Sequence, residues 1–483
     1  MSGVSQKKKV TSDTETLSNT VLAGGYCIGC GVCTAVTGSK MEVTFNESGE
    51  YEAFGKESAN PALLRVCPFS NHCTDEDTIS KELFKNAEHH DPRLGHYKEV
   101  LAGHVDEGTF RQEGSSGGLG KWILHELLLS GAVDGIIHVQ ATHPDKNSSP
   151  LYKYEIQTEL SKISQGARSA YYPITLADVL NELKNLPGRF AIAGVPCFIK
   201  ALRLLCREEP VYQEKFRYFI GLICGHLKSR FYADMLAWQF GIKPGHLGHI
   251  EFRQKLPGTN AKQKGIEVKR RDTVEKETRV KTVDTLFGAD YNLGLFQYKA
   301  CDYCDDVVAE TADISIGDAW LPNYISDGRG TSLVIVRNSE ILQLLKKATT
   351  SKRIILSPIS ADQAAISQRG GLRQRREGLS YRLSKADKEN NWRPLKRFQP
   401  RSLWYAPNRK KIYDQRTILG VKSKKLFMDA VGHDEWMQFE TPVKKMIDQY
   451  KSLYKPSHLT RYKRGIARRF NRFYLSILRV FGV

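Results

Sequence analysis

The cysteines of the N-terminal region constrain the local fold more than any other feature of the sequence. Cys27, Cys30 and Cys33 stand at strict C-x2-C-x2-C spacing in the stretch GGYCIGCGVC. This spacing lets one loop wrap three corners of an iron–sulfur cubane, and a more distant Cys-Pro completes the ligand set in bacterial ferredoxins. Cys67 in RVCPF fits that fourth position, and Cys73 is the reserve candidate. The spacing therefore predicts a [4Fe-4S] cluster in a small ferredoxin-like unit.

A structural zinc site is the alternative interpretation of the same cysteines. Zinc sites usually use two separated CxxC pairs rather than three evenly spaced cysteines, so the spacing favours iron–sulfur. The ten cysteines of the 483-residue chain are clustered, and the N-terminal stretch lacks the apolar segment of a secretory signal. We therefore expect a cytoplasmic protein whose clustered cysteines serve metal or redox chemistry rather than disulfides.

Strands and helices alternate along the sequence from about residue 97. The stretch GSSGGLGKWILHELLLSGAVDGIIHVQ has the pattern of a glycine loop, an apolar helix, a turn and a buried strand. The same order recurs twice more before residue 245. Such alternation predicts an α/β fold, α+β overall, with a mainly parallel sheet covered by helices on both faces. Ligands of such sheets bind at the carboxyl ends of the strands.

Changes in composition divide the chain into several segments. We expect a disordered leader, an iron–sulfur unit with a β-hairpin that turns at Ser48-Gly49, a polar linker, an α/β domain and a basic, irregular extension. Within the α/β domain, dense charge between about 250 and 285 predicts an exposed hairpin. The segments are residues 1–20, 21–76, 76–95, 97–375 and 385–483, in that order.

Four later cysteines form a second, more dispersed set. Cys197 in GVPCF and Cys224 in GLICGH each follow a predicted strand, and Cys301 and Cys304 form a CxxC in YKACDYCDD. Because the carboxyl ends of parallel strands share one edge of a sheet, these thiols can meet in a four-thiolate site. Buried cysteines also serve as small core residues, so the residues alone leave both interpretations open. Cys206, within an apolar helix, is predicted to be core.

Two loops offer candidate cofactor contacts. A glycine-rich loop that opens a helix exposes amide donors where a phosphate is favoured, although a tight turn would use the same residues. This loop contributes Ser115, Ser116, Gly117 and Gly118. The stretch SQGARSAYYP has groups that a flavin or another planar cofactor would use, or that a surface turn would use. It contributes Gln165, Gly166, Arg168 and Tyr171.

Six motifs, taken in order, resemble the coenzyme F420 hydrogenase/dehydrogenase beta-subunit family. They are CIGCGVC with a later CP, GSSGGLGKWILHELLLSGAVDGII, GVPCFIKALR, GLICGH, CDYCDD and ADISIGDAW, and they span about residues 20 to 375. The resemblance implies a flavoprotein with FAD at the glycine loop and with iron–sulfur clusters, the second on the later cysteines. It also implies ferredoxin or coenzyme F420 as the redox partner. Phe198 departs from the family pattern, which tends to have Gln after Pro-Cys.

The resemblance leads to one main hypothesis and two alternatives. The main hypothesis is an oxidoreductase that passes electrons from a ferredoxin-like donor or reduced F420 through [4Fe-4S] clusters and FAD to an organic substrate. Relatives beside polysaccharide-biosynthesis enzymes extend this to a role in that biosynthesis. The alternatives are a non-catalytic electron-transfer subunit of a larger complex and a zinc-stabilised nucleic-acid-binding protein. No residue is predicted as a catalytic acid or base.

Positive charge is concentrated at the C-terminal end. The net charge is +19, and residues 451–483 contain nine Lys and Arg and no acidic residue. A nucleic-acid-binding protein is expected to be basic more uniformly, so we expect no nucleic acid partner. Arginines mixed with aromatic and aliphatic residues favour a helix at an anionic membrane surface. A helix docked on the body or a disordered end remains an alternative.

Overall fold

The structure is a computed structural model, and it describes residues 15–56, 60–142, 150–163, 166–271, 278–402 and 407–454. The strands in these ranges are β1 (Met41–Phe45), β2 (Tyr51–Gly55), β3 (His89–Asp91), β4 (Gly95–Tyr97), β5 (Glu99–Val105), β6 (Gly135–Ala141), β7 (Tyr152–Gln157), β8 (Phe190–Gly194), β9 (Phe216–Leu222), β10 (Leu247–Gln254), β11 (Gly265–Arg270), β12 (Arg279–Thr282), β13 (Ile314–Asp318), β14 (Ser332–Val336) and β15 (Ile354–Pro358). The α-helices are α1 (Ala62–Val66), α2 (Glu76–Leu83), α3 (Phe110–Glu113), α4 (Leu119–Leu129), α5 (Leu160–Ile163), α6 (Ala177–Asn185), α7 (Pro196–Glu208), α8 (Pro210–Lys215), α9 (Phe231–Trp238), α10 (Pro322–Ile325), α11 (Ser339–Thr350), α12 (Ala361–Ser367), α13 (Arg369–Arg373), α14 (Leu379–Lys388), α15 (Pro407–Gly432) and α16 (Trp436–Ser452).

An eight-stranded sheet with the order β15-β5-β14-β13-β9-β8-β6-β7 lies at the centre of the molecule. The neighbours β13, β9, β8 and β6 are parallel. The other pairings are antiparallel. The predicted α/β class is confirmed, since five of the eight strands run in one direction, but antiparallel strands complete both edges. Antiparallel neighbours need no crossover helix, which is why the alternation of strands and helices did not predict them.

The central strands are covered on both faces by helices. All five residues of β14 are buried, as expected for strands whose two faces both meet helices. Ile136 of β6 belongs to the hydrophobic cluster that includes α4 and α11 on one face. Its neighbour Ile137 packs with α6, α7 and the N-terminal unit on the other face. Alternate residues of each strand therefore stabilise two different layers.

Strand direction brings several loops to one edge of this sheet. Since β5 is antiparallel to β14 and β14 is antiparallel to β13, β5 points the same way as the four parallel strands. The glycine loop follows β5, while Cys197 follows β8 and Cys224 follows β9. These features therefore lie at the carboxyl edge of the sheet, where α/β proteins bind ligands.

The N-terminal unit contains the predicted hairpin, β1 paired with β2, but its boundaries differ from those expected. A π-helix at Ser18–Leu22 buries Val21, so residues 15–20 are not a disordered leader, while residues 1–14 lie outside the described residues. The segment expected to be a linker contains α2, which begins where the Asp75 carboxylate accepts a hydrogen bond from the Thr78 N–H at 2.8 Å. The unit also shares one hydrophobic core with α6 and α7.

The C-terminal extension is helical where an irregular segment was expected. The helices α15 and α16 pack on α9 and on the segment around Phe296. The same hydrophobic cluster includes residues of β10 and β11. Phe427 and Phe439 are fully buried against Phe296. Residues 455–483 lie outside the described residues. Within the described ranges, no helix has the length and apolar character needed to cross a membrane.

Candidate functional site

Four cysteines of the N-terminal unit surround a small apolar cavity. They are Cys27, Cys30, Cys33 and Cys67. Gly29 and Gly31 have φ angles of 64° and 81°, which L side chains rarely adopt. The N–H groups of Gly29 and Ala53 each donate to Cys27 Sγ at 3.4 Å. The loop therefore directs three thiols and the Gly29 amide to one place, and β2 adds the Ala53 amide. Thiols and amide donors so placed suit the ligation of an iron–sulfur cluster.

Burial dominates the electrostatics of this first set. It raises the pKa of Cys30 to about 12 and raises the pKa of Cys27, Cys33 and Cys67 as well. The charges of Cys30, Cys27 and Cys67 raise the pKa of Cys33 further. A metal centre that binds there must displace the thiol protons.

Cys73, the reserve candidate, is separate from the set. Among the described residues, the lining of this cavity includes Cys67 and not Cys73. The Cys73 thiol donates to the Ser70 carbonyl at 3.1 Å. The structure therefore favours Cys67 as the fourth member of the predicted ligand set.

The four later cysteines also surround one cavity. They are Cys197, Cys224, Cys301 and Cys304. The Leu227 N–H donates to Cys301 Sγ at 3.1 Å, and burial raises the pKa of Cys224 to about 12. Ile28 and Phe69 line this second cavity and the first one. The structure therefore brings the two predicted sets together as neighbours.

The donor chemistry of both cavities fits iron–sulfur clusters. Each cavity has four thiols and a lining that is otherwise mainly apolar, and four thiolates are the usual ligands of a [4Fe-4S] cluster. In the described part of the chain, no group of three or more His, Cys, Asp or Glu side chains is arranged to hold one metal ion. The cysteines surround their cavities instead of meeting at a point.

The glycine loop packs tightly between β5 and β14. Gly118, with a φ angle of 87°, directly precedes α4. A Cβ on Gly117 would lie 2.5 Å from the carbonyl oxygen of Gly103. The Ser116 hydroxyl donates to the Thr331 carbonyl at 2.8 Å, and the Ser169 hydroxyl donates to Ser115 Oγ at 2.9 Å. Both serine hydroxyls therefore have partners within the protein.

The second candidate loop contributes Arg168 to this place. Arg168 Nε donates to the Glu113 carbonyl at 2.9 Å, just before the glycine loop. Gly166 instead packs on His138, since a Cβ there would lie 2.3 Å from the imidazole. Gln165 lies outside the described residues. The structure thus brings Arg168 and its neighbour Ser169 to the glycine loop.

Two lysines beside the glycine loop were not predicted. Burial and the charges of neighbouring cations lower the pKa of Lys255 to about 7 and that of Lys264 to about 8. Lys255 Nζ donates to the Ser116 carbonyl at 2.7 Å, and Lys264 Nζ donates to the Gly328 carbonyl at 3.1 Å. These lysines, Arg168 and Arg111 form a cationic cluster, in which Asp327 pairs with Arg111 and Glu251 lies 3.9 Å from Arg168. An excess of positive charge suits an anionic ligand. No sequence pattern indicates this cationic cluster. Its two lysines lie in the segment that was expected to be an exposed hairpin.

A pair of tyrosines lies near Cys224 of the second set and near Arg253. The Tyr171 and Tyr291 ring centroids are 4.6 Å apart. Burial, and then the charge of Cys224, raises the pKa of Tyr291. Tyr171 lies beside Arg253, whose guanidinium pairs with the Asp318 carboxylate at 2.8 and 2.9 Å. Tyr171 therefore lies beside Arg253, and the charge of Arg253 in turn contributes to the lowered pKa of Lys255 and Lys264.

Two other residues of α7 belong to the core. Phe198 is 3% exposed, and its ring centroid lies 6.5 Å from that of Tyr154. Cys206 is also buried among apolar side chains, as predicted. Where the family pattern has a polar residue, this chain therefore has a packing residue.

Comparison with known proteins identifies the family. The model described as coenzyme F420 hydrogenase/dehydrogenase, beta subunit N-term, matches residues 100–181, and the model for the C terminus of the same beta subunit matches residues 188–362. A chain of the xenon-derivatised F420-reducing [NiFe] hydrogenase complex from Methanosarcina barkeri is 18% identical, and the match covers 64% of this chain and 98% of that one, with a TM-score of 0.46. A search of curated proteins finds no match. The two models together cover more than half of the sequence, and the chain belongs to the coenzyme F420 hydrogenase/dehydrogenase beta-subunit family.

Proposed function

We propose that this chain is an iron–sulfur flavoprotein oxidoreductase that passes electrons between an external redox partner and an organic substrate. The observation that carries the proposal is the order of three adjoining sites. The two four-cysteine cavities share Ile28 and Phe69. Tyr291 feels the charge of Cys224 and contacts Tyr171, which lies beside Arg253 next to the cationic cluster. Such an arrangement suits electron transfer over short steps.

Each proposed cofactor has a defined set of residues. Cys27, Cys30, Cys33 and Cys67 would hold one [4Fe-4S] cluster, and Cys197, Cys224, Cys301 and Cys304 a second. Lys255, Lys264 and Arg168 would bind the pyrophosphate of FAD beside the loop Ser115, Ser116, Gly117 and Gly118. Clusters exchange single electrons and a flavin holds two, so together these groups would connect one-electron and two-electron partners.

The protein's own contribution is position and environment. Buried apolar residues such as Ile28 exclude water from both cysteine sets. The amide groups of Gly29 and Leu227 point at the sulfurs, where hydrogen bonds affect the reduction potential. The cationic cluster would offset the negative charge of a bound pyrophosphate.

The redox partner is proposed from the family and from the sequence. The family name favours coenzyme F420, and the cysteine pattern is also compatible with a ferredoxin-like donor. Mixing the anaerobic protein separately with reduced F420 and with reduced ferredoxin distinguishes the two. The productive partner bleaches the visible absorbance of the cofactors within the mixing time, and the other leaves it unchanged.

A non-catalytic electron-transfer subunit is the second candidate, because both family models describe a beta subunit. Turnover by the isolated chain distinguishes the two functions. Steady oxidation of the reduced partner with one organic acceptor supports the enzyme. Cofactor reduction without turnover, restored by another subunit, supports the alternative.

Metal and flavin analysis of anaerobically purified protein tests the proposal directly. We expect about eight iron atoms per chain, equal sulfide, and FAD released on denaturation. Cys304→Ser should lose about half of the iron, whereas the control Cys73→Ser should retain it. Stoichiometric zinc without iron or flavin would contradict the proposal.

A further inference from the structure

Three arginines from the segment after the family match hold the loop that carries Cys301 and Cys304. The family models end at residue 362, and these arginines lie on the helical stretch that follows. Arg375 Nε donates to the Asp306 carbonyl at 2.9 Å, Arg382 Nε donates to the Asp302 carbonyl at 2.7 Å, and Arg376 donates to the Asp305 carbonyl. The segment therefore fixes three carbonyls of this loop.

Two adjacent arginines of a π-helical turn, Arg375 and Arg376, have different surroundings. Residues Gln374–Gly378 form a π-helical turn between α13 and α14, and such turns are frequent at functional sites. Arg375 is buried and lines the second cavity together with the four cysteines. Arg376 instead stacks on Phe398, with its guanidinium carbon 4.2 Å from the ring centroid, and lies 3.6 Å from the Glu310 carboxylate.

Arg375 keeps its positive charge although it is buried beside the cysteines of the second set. Burial opposes that charge, yet Cys304, Cys224 and Cys301 hold the pKa of Arg375 above its usual range. Asp306 also lines the cavity, and its carboxylate accepts hydrogen bonds from the N–H groups of Val308 and Glu310 at 2.8 Å each. Burial and the charge of Glu310 raise the pKa of Asp306 to about 7, so at neutral pH this carboxyl offsets only part of the charge of Arg375.

We propose that Arg375 is a positioning residue that raises the reduction potential of an iron–sulfur cluster held by Cys197, Cys224, Cys301 and Cys304. The inference rests on the proposed function. One electron from an external low-potential reductant adds one negative charge to the cluster, and no bond forms or breaks. A buried cation beside the cluster stabilises the reduced state more than the oxidised state, because interior charges are weakly screened.

Potentiometric titration of the anaerobic full chain, followed by electron paramagnetic resonance, tests the inference, with dithionite as reductant. At a fixed potential, Arg375→Gln should lower the ratio of reduced to oxidised second cluster about tenfold, which is about 59 mV for one electron. Arg375→Lys and the control Arg376→Gln should keep the ratio within about twofold. The first cluster is the internal reference, and Cys304→Ser assigns the second signal.

An unchanged ratio in Arg375→Gln, with both clusters present, overturns the inference and leaves the proposed function intact. If the wild-type chain holds no second cluster, the proposed function itself fails. Where Arg375→Gln does not retain the second cluster, the neutral variant Arg375→Met replaces it. Its ratio should be about tenfold lower than that of Arg375→Lys, and equal ratios in these two variants also overturn the inference.

Discussion

At the scale of single residues, Lys255 makes the proposed flavin site sensitive to pH. With a pKa of about 7, its ammonium group is mostly neutral at pH 8, and a bound pyrophosphate would restore the proton. We expect FAD binding at pH 8 to take up about one proton more in the wild type than in Lys255→Met. Calorimetric titration of flavin-stripped protein in phosphate and in Tris measures this difference.

The direction of the pH effect follows from the same pKa. The affinity for FAD should fall as the pH rises from 7 to 9. In the flavin-free protein, Lys255 is mostly neutral in the folded chain and protonated in the unfolded chain between pH 7 and about 10.4. Because the unfolded chain binds more protons there, the contribution of this lysine to the free energy of unfolding rises with pH across that window. Lys153→Met, at an exposed lysine, is the matched control and should bind FAD like the wild type. Equal proton uptake by Lys255→Met and the wild type would show that Lys255 does not bind the pyrophosphate of FAD.

Gly117 tests whether the close packing of the glycine loop matters. A Cβ there would lie 2.5 Å from the Gly103 carbonyl oxygen and 2.7 Å from Ser332 Oγ, so Gly117→Ala must displace the loop. We expect loss of bound FAD and a destabilisation of about 2 kcal/mol. Gly120→Ala, three residues on, meets nothing within 4 Å and should stabilise α4 by about 0.5–1 kcal/mol. Thermal unfolding and flavin release measure both variants.

The sequence predicted residues whose spacing determines their chemistry. The regular spacing of Cys27, Cys30 and Cys33 indicates a common ligand without any knowledge of the fold. Lys255 and Lys264 carry no such pattern, because an isolated lysine looks the same on a solvated hairpin and beside a buried loop. Their role depends on the close approach of β10 and the loop after it to the glycine loop, which tertiary structure alone provides.

At the scale of elements, a buried ion pair fastens α15 to the N-terminal hairpin. Lys424 Nζ donates to Glu50 Oε1 at 2.7 Å, and the two side chains are 9% and 14% exposed. Lys424→Met leaves the Glu50 carboxylate without this partner, which should lower the free energy of unfolding by about 3 kcal/mol. Urea denaturation under anaerobic conditions measures the change.

Two further variants separate the ion pair from helix effects. Lys422→Met lies on the same helix at an exposed position and should change stability by less than about 0.5 kcal/mol. Adding Glu50→Gln to Lys424→Met should recover part of the loss, because the unpaired charge is removed. Equal losses in Lys422→Met and Lys424→Met would show that the pair does not fasten the helix.

The sequence predicted those helices and strands whose apolar residues follow one recognisable pattern, such as a continuous run or a single stripe. A continuous apolar run predicted the buried strand β6. The helix α2 was missed because its residues are mostly polar, although Asp75 caps its first turn. The helix α15 was missed because two of its sides are in contact with protein: Phe427 packs with α16, and Thr417 donates to the Asp302 carboxylate at 3.2 Å. A helix in contact on two sides lacks the single apolar stripe by which helices are recognised.

At the scale of the whole molecule, alternation of strands and helices was enough to predict the α/β class. It was not enough to predict how the segments share their cores. Leu63 of the N-terminal unit and Leu202 of α7 belong to one hydrophobic cluster, which joins parts of the chain that composition separates. Contacts between segments depend on complementary surfaces, and composition does not record these.

Residues 455–483 carry the predicted contact with a membrane surface. Their arginines and aromatic residues suit a bilayer with anionic lipid. We expect the full chain to co-sediment with vesicles that contain phosphatidylserine, and a chain ending at residue 454 to stay in solution. Vesicles of phosphatidylcholine alone are the control and should retain neither protein. Equal sedimentation of both chains with anionic vesicles would place any membrane contact elsewhere.

Removal of α15 and α16 tests whether the extension is an integral part of the fold. These helices bury Phe427 and Phe439 against Phe296, and each buried phenylalanine contributes about 2–3 kcal/mol. A chain that ends at residue 402 leaves Phe296 uncovered, so we expect it to aggregate or to unfold more than about 10 °C below the full chain. A chain that ends at residue 454 keeps both helices and should melt like the full chain. Soluble fraction and thermal unfolding measure both deletions. If the shorter chain is soluble with an unchanged midpoint, the extension is an accessory to a core that folds without it.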